Sequence, residues 1–411
     1  MPDHRVVIVG AGHAGFQLAA SLRQHGFDGR IALLGDEKVV PYQRPPLSKD
    51  YLAGKIGFDL LLMRPESFYR DHHIDFLPGA RVAAIDRAAR RVELAAGERL
   101  QYDHLVLATG ARNRVPPLPG IDLDGVCWLR SLAETDELRD RLAAAEHVVV
   151  IGGGFIGLEF AAVARAQGKP VHIVELTDRV MGRVASVPVS HFFAAAHRRA
   201  GVEFGFGAQA VRIAGSLGRV EHVELAGGER LQADLVVVSI GVVPNAELAT
   251  AAGLAVANGI VVDDRLATAD PAISAIGDCA AFPCVHAGGL PSRLESVQNA
   301  ADHARCVADR ILGKPHAYDA LPWFWSEQGE LRLQIAGLTA GHDHAVLRGD
   351  SESGAFSVFC YRQGALTGIE SVNRPADHAQ ARRLLASGRQ VTPNEAADDS
   401  FDLRAAAAKR G

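Results

Sequence analysis

Two apolar runs of the same design stand far apart in the chain. RVVIVGAGHAG occupies Arg5–Gly15 and HVVVIGGGFIG occupies His147–Gly157. Each opens as an unbroken apolar stretch, the pattern of a parallel strand buried on both faces, then passes through a glycine-rich turn into a helical segment. Each leads to a second apolar run, Ile31–Asp36 (IALLGD) and Val171–Glu175 (VHIVE), so the pattern predicts two βαβ units. A further pair also matches. Asp103–Arg112 (DHLVLATGAR) and Ala233–Asn245 (ADLVVVSIGVVPN) both read as strands ending in a turn of small residues. Each is expected to return the chain to the sheet that its own glycine-rich turn began. The expectation is an α/β chain with two doubly wound, Rossmann-like dinucleotide-binding domains, the second inserted in the first. The first resumes after Pro244 and takes in Ala272–Ala280 (AISAIGDCA).

Beyond Leu321 the character changes. PWFWSEQGELRLQIAGL carries two of the three tryptophans, and the segments after it alternate apolar and polar residues. Ala355–Asn373 predicts an antiparallel hairpin turning at Arg362-Gln363-Gly364, and a last helix is expected over Pro375–Ser387. The polar, Ala-rich tail Ala396–Gly411 is expected to be loosely ordered. The boundaries that follow are 1–111 with 244–320 for the first domain, 112–243 for the second, and 321–411 for a C-terminal α+β domain on an antiparallel sheet.

Composition narrows the chemistry. A chain of 411 residues with 48% hydrophobic and 22% charged residues has material for several cores. A net charge of −5 does not suggest a basic nucleic-acid surface. The opening MPDHRVVIVGAG enters a strand almost at once and has no charged-then-apolar leader, and no run approaches the roughly 20 apolar residues of a membrane span. The five cysteines, Cys127, Cys279, Cys284, Cys306 and Cys360, are odd in number and form no CxxC pair. That disfavours a disulfide framework and points to a cytoplasmic, thiol-reducing compartment. Cys279 and Cys284 read as buried small residues. No metal-ligand spacing such as HExxH occurs, so no metal site is expected and the histidines read as surface or packing residues.

The glycine-rich turns carry the sharper signal. In Gly10-Ala11-Gly12-His13-Ala14-Gly15, glycines permit a tight turn and close approach of backbone to a pyrophosphate at a helix N-terminus. Asp36 and Glu37 follow Gly15 by 21 and 22 residues, the separation of an acid that accepts from a ribose hydroxyl. The second turn is Gly152-Gly153-Gly154-Phe155-Ile156-Gly157, with Glu175 18 residues beyond Gly157. Two nucleotide sites in one chain imply electron traffic between two cofactors. A carboxylate at Glu175 favours NADH and repels a 2′-phosphate, although Arg179 nearby acts the other way. In Pro41–Leu52 (PYQRPPLSKDYL), three prolines stiffen an extended path before a helix. Ser48 and Lys49 then offer a hydroxyl and an ammonium to a flavin phosphate or ring, the plainer alternative being a loop with a capping serine. Thiol-dependent flavin reductases and peroxidases place a reactive cysteine in this region. Here there is none, and disulfide exchange requires a thiolate. In AIGDCA, Gly277-Asp278 is expected to turn a carboxylate and backbone N–H groups toward a flavin's ribityl–phosphate chain.

Taken together, VVIVGAGHAG, PYQRPPLSK, LVLATGAR, IGGGFIGLE, GVVPN, AIGDCA, RLESVQNA and PWFWSEQGELRLQIAGL resemble the class I, FAD-dependent NADH:ferredoxin reductases that serve bacterial haem-thiolate monooxygenases and ring-hydroxylating dioxygenases. The likeness runs from Val6 to Asn373 and implies a glutathione reductase-like architecture. It assigns FAD to the first domain and NADH to the second. FAD contacts would fall on Ala14, Asp36, Lys49, Val82, Arg130, Asp278 and Val297, with Arg44 a further candidate, beside Gly10, Gly12, Gly15, Thr109 and Gly110. The NADH side would fall on Gly152, Gly154, Phe155, Ile156, Gly157, Glu159, Glu175 and Gly241. Phe155 would sit at the nicotinamide pocket and move to admit the ring. Glu159 would hold the carboxamide, and Trp325 would pack near the flavin edge where electrons leave. One departure stands out: Glu327-Gln328-Gly329-Glu330 replaces the Asp-Gln-Tyr-Asp run frequent in the family, at a loop that would shape the partner's docking surface.

What the resemblance implies chemically is hydride transfer from NADH to FAD without an acid or base, because the cofactors supply the chemistry and the protein the orientation. Single electrons then pass to a two-iron two-sulfur ferredoxin, with the chain a monomer or weak dimer. An acidic ferredoxin would favour a basic docking patch. Arg293, Arg305, Arg310 and Lys314 are candidates by sequence proximity, and ordinary solvated helix charge is the plainer account. The rivals are a rubredoxin reductase, an enzyme feeding oxygen or peroxide, and a flavin-bearing, NADH-sensing interaction protein.

Overall fold

A computed structural model describes residues 4–408. The chain divides into two compact units. One comprises the residues up to Gln43, Asp59–Arg112 and Val243–Pro322; the other comprises Arg44–Phe58, Asn113–Val242 and the residues from Trp323 onward.

In the first unit the two leading apolar runs become parallel strands Arg5–Val9 and Arg30–Leu34, with Val6 opposite Ile31. Their sheet is completed in the order Ile273–Ala275, His104–Leu107, Arg5–Val9, Arg30–Leu34, Ile74–Leu77. DHLVLATGAR therefore returns to the sheet of its own glycine turn, and AISAIGDCA joins it as its edge strand. Val6, Ile8, Ile31, Leu33, Leu105 and Leu107 are fully buried. Helix His13–Gln24 buries Leu18, Ala19 and Leu22, and helix Val297–Ile311 buries Ala300, Ala304 and Val307. The two helices pack against each other. A separate antiparallel sheet, opened by Val82–Asp86, flanks this core.

The second unit repeats the plan. Strands Val202–Phe206, Val171–Glu175, Val148–Ile151, Leu235–Val238 and Val126–Cys127 form a parallel sheet in that order. ADLVVVSIGVVPN thus rejoins the sheet of the second glycine turn, with Val148 opposite Leu235. The same unit carries a five-stranded antiparallel sheet in the order Trp323–Gln328, Leu331–Gly337, Ala365–Val372, Ala355–Arg362, His344–Asp350. Its central hairpin pairs Arg362 with Ala365, so Gln363 and Gly364 form a two-residue turn with φ values of 51° and 79°. Both left-handed values suit the right-handed twist of the strands. Helix Pro375–Ala386 follows, one residue shorter than the sequence predicts.

The tail corrects the sequence reading. Pro393–Ala397 and Leu403–Ala408 are helical, with Ala396 and Leu403 in the C-terminal core. The buried Arg348 guanidinium donates to the carbonyls of Asp398, Asp399 and Phe401 and ties this segment down. Alanine-rich composition looked loose because sequence alone does not show a buried arginine awaiting main-chain acceptors. Lys409, Arg410 and Gly411 lie outside the described residues, as does the opening MPD. Among the described residues no helix is long and apolar enough to cross a membrane.

Candidate functional site

The two glycine turns adopt the same geometry. At Gly10 φ is +110° and a side chain would land on the Ala108 carbonyl; at Gly15 it would land on the carbonyl of Gly10. At Gly152 φ is +108° and a side chain would strike Ser239, while at Gly157 it would strike Gly152. Gly12 and Gly154, the residues at the two helix starts, face open space. Neither helix has a side-chain cap or an acid in its first turn. Each presents its first N–H groups and the positive end of its dipole to a cradle that can take an anionic group.

Around the first cradle, structure separates residues that sequence left equivalent. Asp36 is exposed and open to a ligand. Glu37 accepts from the Tyr42 hydroxyl at 2.6 Å and so serves the fold. The Gly277-Asp278 turn abuts the start of the first helix, because a side chain at Gly277 would touch Ala14 and Ala300. Ala14, Asp278 and the Val297 end of its helix therefore belong to one neighbourhood. Val82 stands apart in this respect: it opens the small antiparallel sheet and is 6% exposed. Asn245 is a residue that sequence reasoning missed. The Thr109 hydroxyl donates to its carbonyl at 2.6 Å, its side-chain amide donates back to the Thr109 carbonyl at 2.8 Å, and its N–H donates to Gly110. The only signal was its place at the end of GVVPN.

At the second cradle Glu175 is anchored. The Gly153 N–H donates to one carboxylate oxygen at 2.7 Å, and Thr177 donates from both N–H and hydroxyl to the other. Arg179 turns back onto the Gly182 carbonyl at 2.8 Å. That spends one of the five guanidinium N–H groups. Ile156 is exposed, Gly241 has φ +93°, and Phe155 packs on Phe324 with ring centroids 4.6 Å apart.

Glu159 is the centre of a buried polar cluster. It is 2% exposed, and three donors converge on it: Ser48 Oγ at 2.5 Å and Lys49 Nζ at 2.8 Å on one oxygen, Ser326 Oγ at 2.7 Å on the other. Two of the three prolines, Pro45 and Pro46, open a 3₁₀ turn, Pro45–Ser48, in place of an extended path into a helix. That turn points both Ser48 and Lys49 at Glu159. Ser48 ends that turn and caps no helix, so the capping alternative is not met. Arg44 donates to the Arg130 carbonyl at 2.8 Å, so these two candidates also neighbour each other.

Strand Trp323–Gln328 sorts its side chains by alternation. Phe324 and Ser326 meet the helix that carries Phe155 and Glu159. Trp323 and Trp325 point the other way, their rings 5.6 Å apart, and the Arg382 guanidinium lies 4.5 Å over Trp323. The Gln328-Gly329-Glu330-Leu331 segment is a tight hairpin turn, and Gln328 is 3% exposed. Gly329 and Glu330 are exposed at its tip, and the Glu327 side chain is 43% exposed.

The proposed basic patch is also corrected. Arg310 bonds to Ser274 and His104 on the first sheet, and its own pKa is pulled down by burial. Arg293 pairs with Glu295 and donates to the Asp278 carbonyl. Arg305 is paired with Asp302 at 2.7 Å, and Lys314 is exposed.

Two groups of buried residues define the protonation chemistry. All five cysteines are free and buried, and burial raises every thiol, Cys127 to about 12 and Cys306 to about 11. They are held as thiols, which removes the nucleophile needed for disulfide exchange. Burial depresses His303 to about 3, burial and then Arg310 depress His104 to about 3, and burial followed by Arg382 depresses His378 to about 4. His303 accepts from the Gly277 N–H at 3.1 Å and so supports the Asp278 turn. A depressed histidine binds fewer protons folded than unfolded, so its stabilisation is complete above the ordinary value of 6.5 and declines as pH falls below it. Each such group steepens the decline by up to about 1.4 kcal/mol per pH unit. His303→Gln is expected to flatten the dependence of unfolding free energy on pH between 4.5 and 6 by about that amount in denaturant titrations. An unchanged slope would refute it.

Comparison with known proteins follows the same lines. The pyridine nucleotide-disulphide oxidoreductase family matches residues 4–304, and the reductase C-terminal family matches residues 323–407. Rhodocoxin reductase of Rhodococcus erythropolis is 51% identical over 98% of this chain and 94% of its own. The crystal structure of the ferredoxin reductase for the CYP199A2 system from Rhodopseudomonas palustris superposes with a TM-score of 0.96 at 54% identity, covering 99% of this chain and 100% of that one. The reductase in the covalent putidaredoxin reductase–putidaredoxin complex gives a TM-score of 0.96 at 40% identity over 100% of both chains.

Proposed function

Because the chain belongs to the pyridine nucleotide-disulphide oxidoreductase family and carries a reductase C-terminal domain, we propose that it is an NADH-dependent, FAD-containing ferredoxin reductase. It takes a hydride from NADH and passes two electrons singly to a two-iron two-sulfur ferredoxin, which feeds a cytochrome monooxygenase or ring-hydroxylating dioxygenase. The observation that carries this reading is the duplicated cradle, two uncapped helix starts in which Gly12 and Gly154 leave open space for a ligand. FAD fits the first cradle, where Asp36 is free to accept from a ribose. NADH fits the second, where Glu175 is fixed and Arg179 is turned away.

FAD, when bound, supplies a two-electron acceptor that releases its electrons one at a time. The chain's own residues bind and orient. The N–H groups beginning at His13 hold a pyrophosphate, Asp36 takes the adenosine ribose, and Asp278 with Val297 serves the ribityl side. Lys49, Arg44, Arg130, Val82 and the Thr109-Gly110 turn complete the flavin contacts. The N–H groups beginning at Phe155 hold the pyrophosphate of NADH and Glu175 accepts from its 2′-hydroxyl. Phe155 yields to the nicotinamide, Glu159 takes the carboxamide, and Trp325 lines the exit for electrons. The family's name includes disulphide chemistry, but five buried thiols with raised pKa values argue against a disulfide as acceptor. Free thiols also support a cytoplasmic setting.

Anaerobic titration tests the proposal. One equivalent of NADH is expected to bleach the yellow protein, and NADPH to require at least roughly ten times the concentration for half-reduction, a difference of about 1.4 kcal/mol. Two equivalents of ferredoxin, followed with cytochrome c as final acceptor, then recover the electrons, while rubredoxin in the same assay is expected to be the poorer acceptor. Colourless protein, or equal use of both coenzymes, would overturn the corresponding part.

A further inference from the structure

Glu159 is the near end of a longer chain of buried side chains. Ser326 Oγ donates to it at 2.7 Å, Gln328 Nε2 approaches Ser326 Oγ at 3.3 Å, and His197 Nε2 lies 2.8 Å from Gln328 Oε1. Ser326, Gln328 and His197 are 0, 3 and 4% exposed. Three separate segments meet here: the helix after the second glycine turn, the strand Trp323–Gln328 and the helix Val187–Arg199. We propose that His197 is a positioning residue for hydride transfer, acting through Gln328 and Ser326 on the orientation of Glu159.

The ends of the chain set its direction. A carboxylate only accepts, so Ser326 spends its one hydrogen on Glu159 and turns a lone pair to Gln328. The Gln328 amide must then donate from nitrogen, to Ser326 and to the Met181 sulfur at 3.8 Å, which turns its oxygen to His197. His197, whose pKa burial depresses, is neutral and carries its hydrogen on Nε2. Removing that N–H leaves the Gln328 oxygen buried and without a donor. The amide is then no longer pinned at that end, and its donation to Ser326, which keeps the serine hydrogen on Glu159, loosens. The proposal rests on Glu159 serving the nicotinamide.

The test uses the FAD-loaded enzyme. His197→Phe is expected to slow the limiting rate of anaerobic flavin reduction by NADH roughly 3- to 10-fold, the range of one hydrogen bond's net contribution. Flavin content, and reoxidation of dithionite-reduced enzyme by ferredoxin, stay at parental values. His197→Gln, whose amide nitrogen can stand where Nε2 stood, restores the rate. In a Glu159→Gln background the His197→Phe loss disappears, because the two share one path. Gln328→Met cuts the chain one link closer and should behave alike if His197→Phe fails to fold. If the His197→Phe loss persists undiminished beside Glu159→Gln, or His197→Gln fails to rescue, the side chain is only structural and the proposal falls. If Glu159→Gln alone leaves flavin reduction by NADH untouched, the assignment of Glu159 falls and takes the proposal with it.

Discussion

Gly157→Ala yields a yellow protein that NADH reduces at least roughly tenfold more slowly than the parent, whereas Gly15→Ala yields protein purified with little flavin. The two substitutions are the same chemical change at equivalent places. Each would set a methyl group on the carbonyl oxygen of the first glycine in its turn, Gly152 in one case and Gly10 in the other. Neither obstacle is a movable side chain, so the helix start must shift away from its strand. Overpacking of this kind costs about 1–3 kcal/mol, and it is paid where N–H groups are aimed at a ligand. Absorbance at the flavin band reads the first site, and stopped-flow reduction reads the second. Retention of flavin by Gly15→Ala together with normal NADH kinetics in Gly157→Ala would mean that the cradles do not hold the two cofactors.

Lys49→Met separates stability from activity. Lys49 and Glu159 side chains are 16 and 2% exposed and 2.8 Å apart. Removing one partner of a buried pair costs about 3–5 kcal/mol because the other is left uncompensated. A lower denaturant midpoint is therefore expected for Lys49→Met, and the limiting rate of flavin reduction by NADH should fall on the order of 10- to 100-fold as Glu159 loses its cationic anchor. Adding Glu159→Leu removes the stranded charge, so the double variant should regain much of the midpoint while activity stays low. Recovery of both quantities together would show that the pair matters to folding alone.

How much of this was legible in the sequence depended on distance along the chain. Both cradles lie within six consecutive residues after a buried strand, and a strand–turn–helix pattern is local enough to read directly. The two-residue hairpin at Gln363-Gly364 is equally local. The Glu159 cluster is not: Ser48 stands 111 residues from Glu159, Ser326 stands 167 from it, and His197 stands 131 from Gln328. Nothing in PYQRPPLSK reveals that a proline-rich segment curls into a 3₁₀ turn aimed at a distant carboxylate. WFWSEQ did carry a faint signal, since polar residues at alternate positions of a mostly aromatic strand must either face water or find buried partners.

Charge was the least legible property. Arg305 and Arg310 lie five positions apart on one helix, yet the first is half exposed and the second is folded against His104 and Ser274. The amino-acid sequence by itself determined the two dinucleotide folds, their glycine turns and the absence of a thiol where disulfide chemistry needs one, because these follow from backbone sterics and from which atoms are present. Only the tertiary structure decided which carboxylates and guanidinium groups remain open to a ligand and which are consumed by the fold. That choice depends on partners brought together from remote segments, and a buried polar group must take whichever partner packing delivers to it.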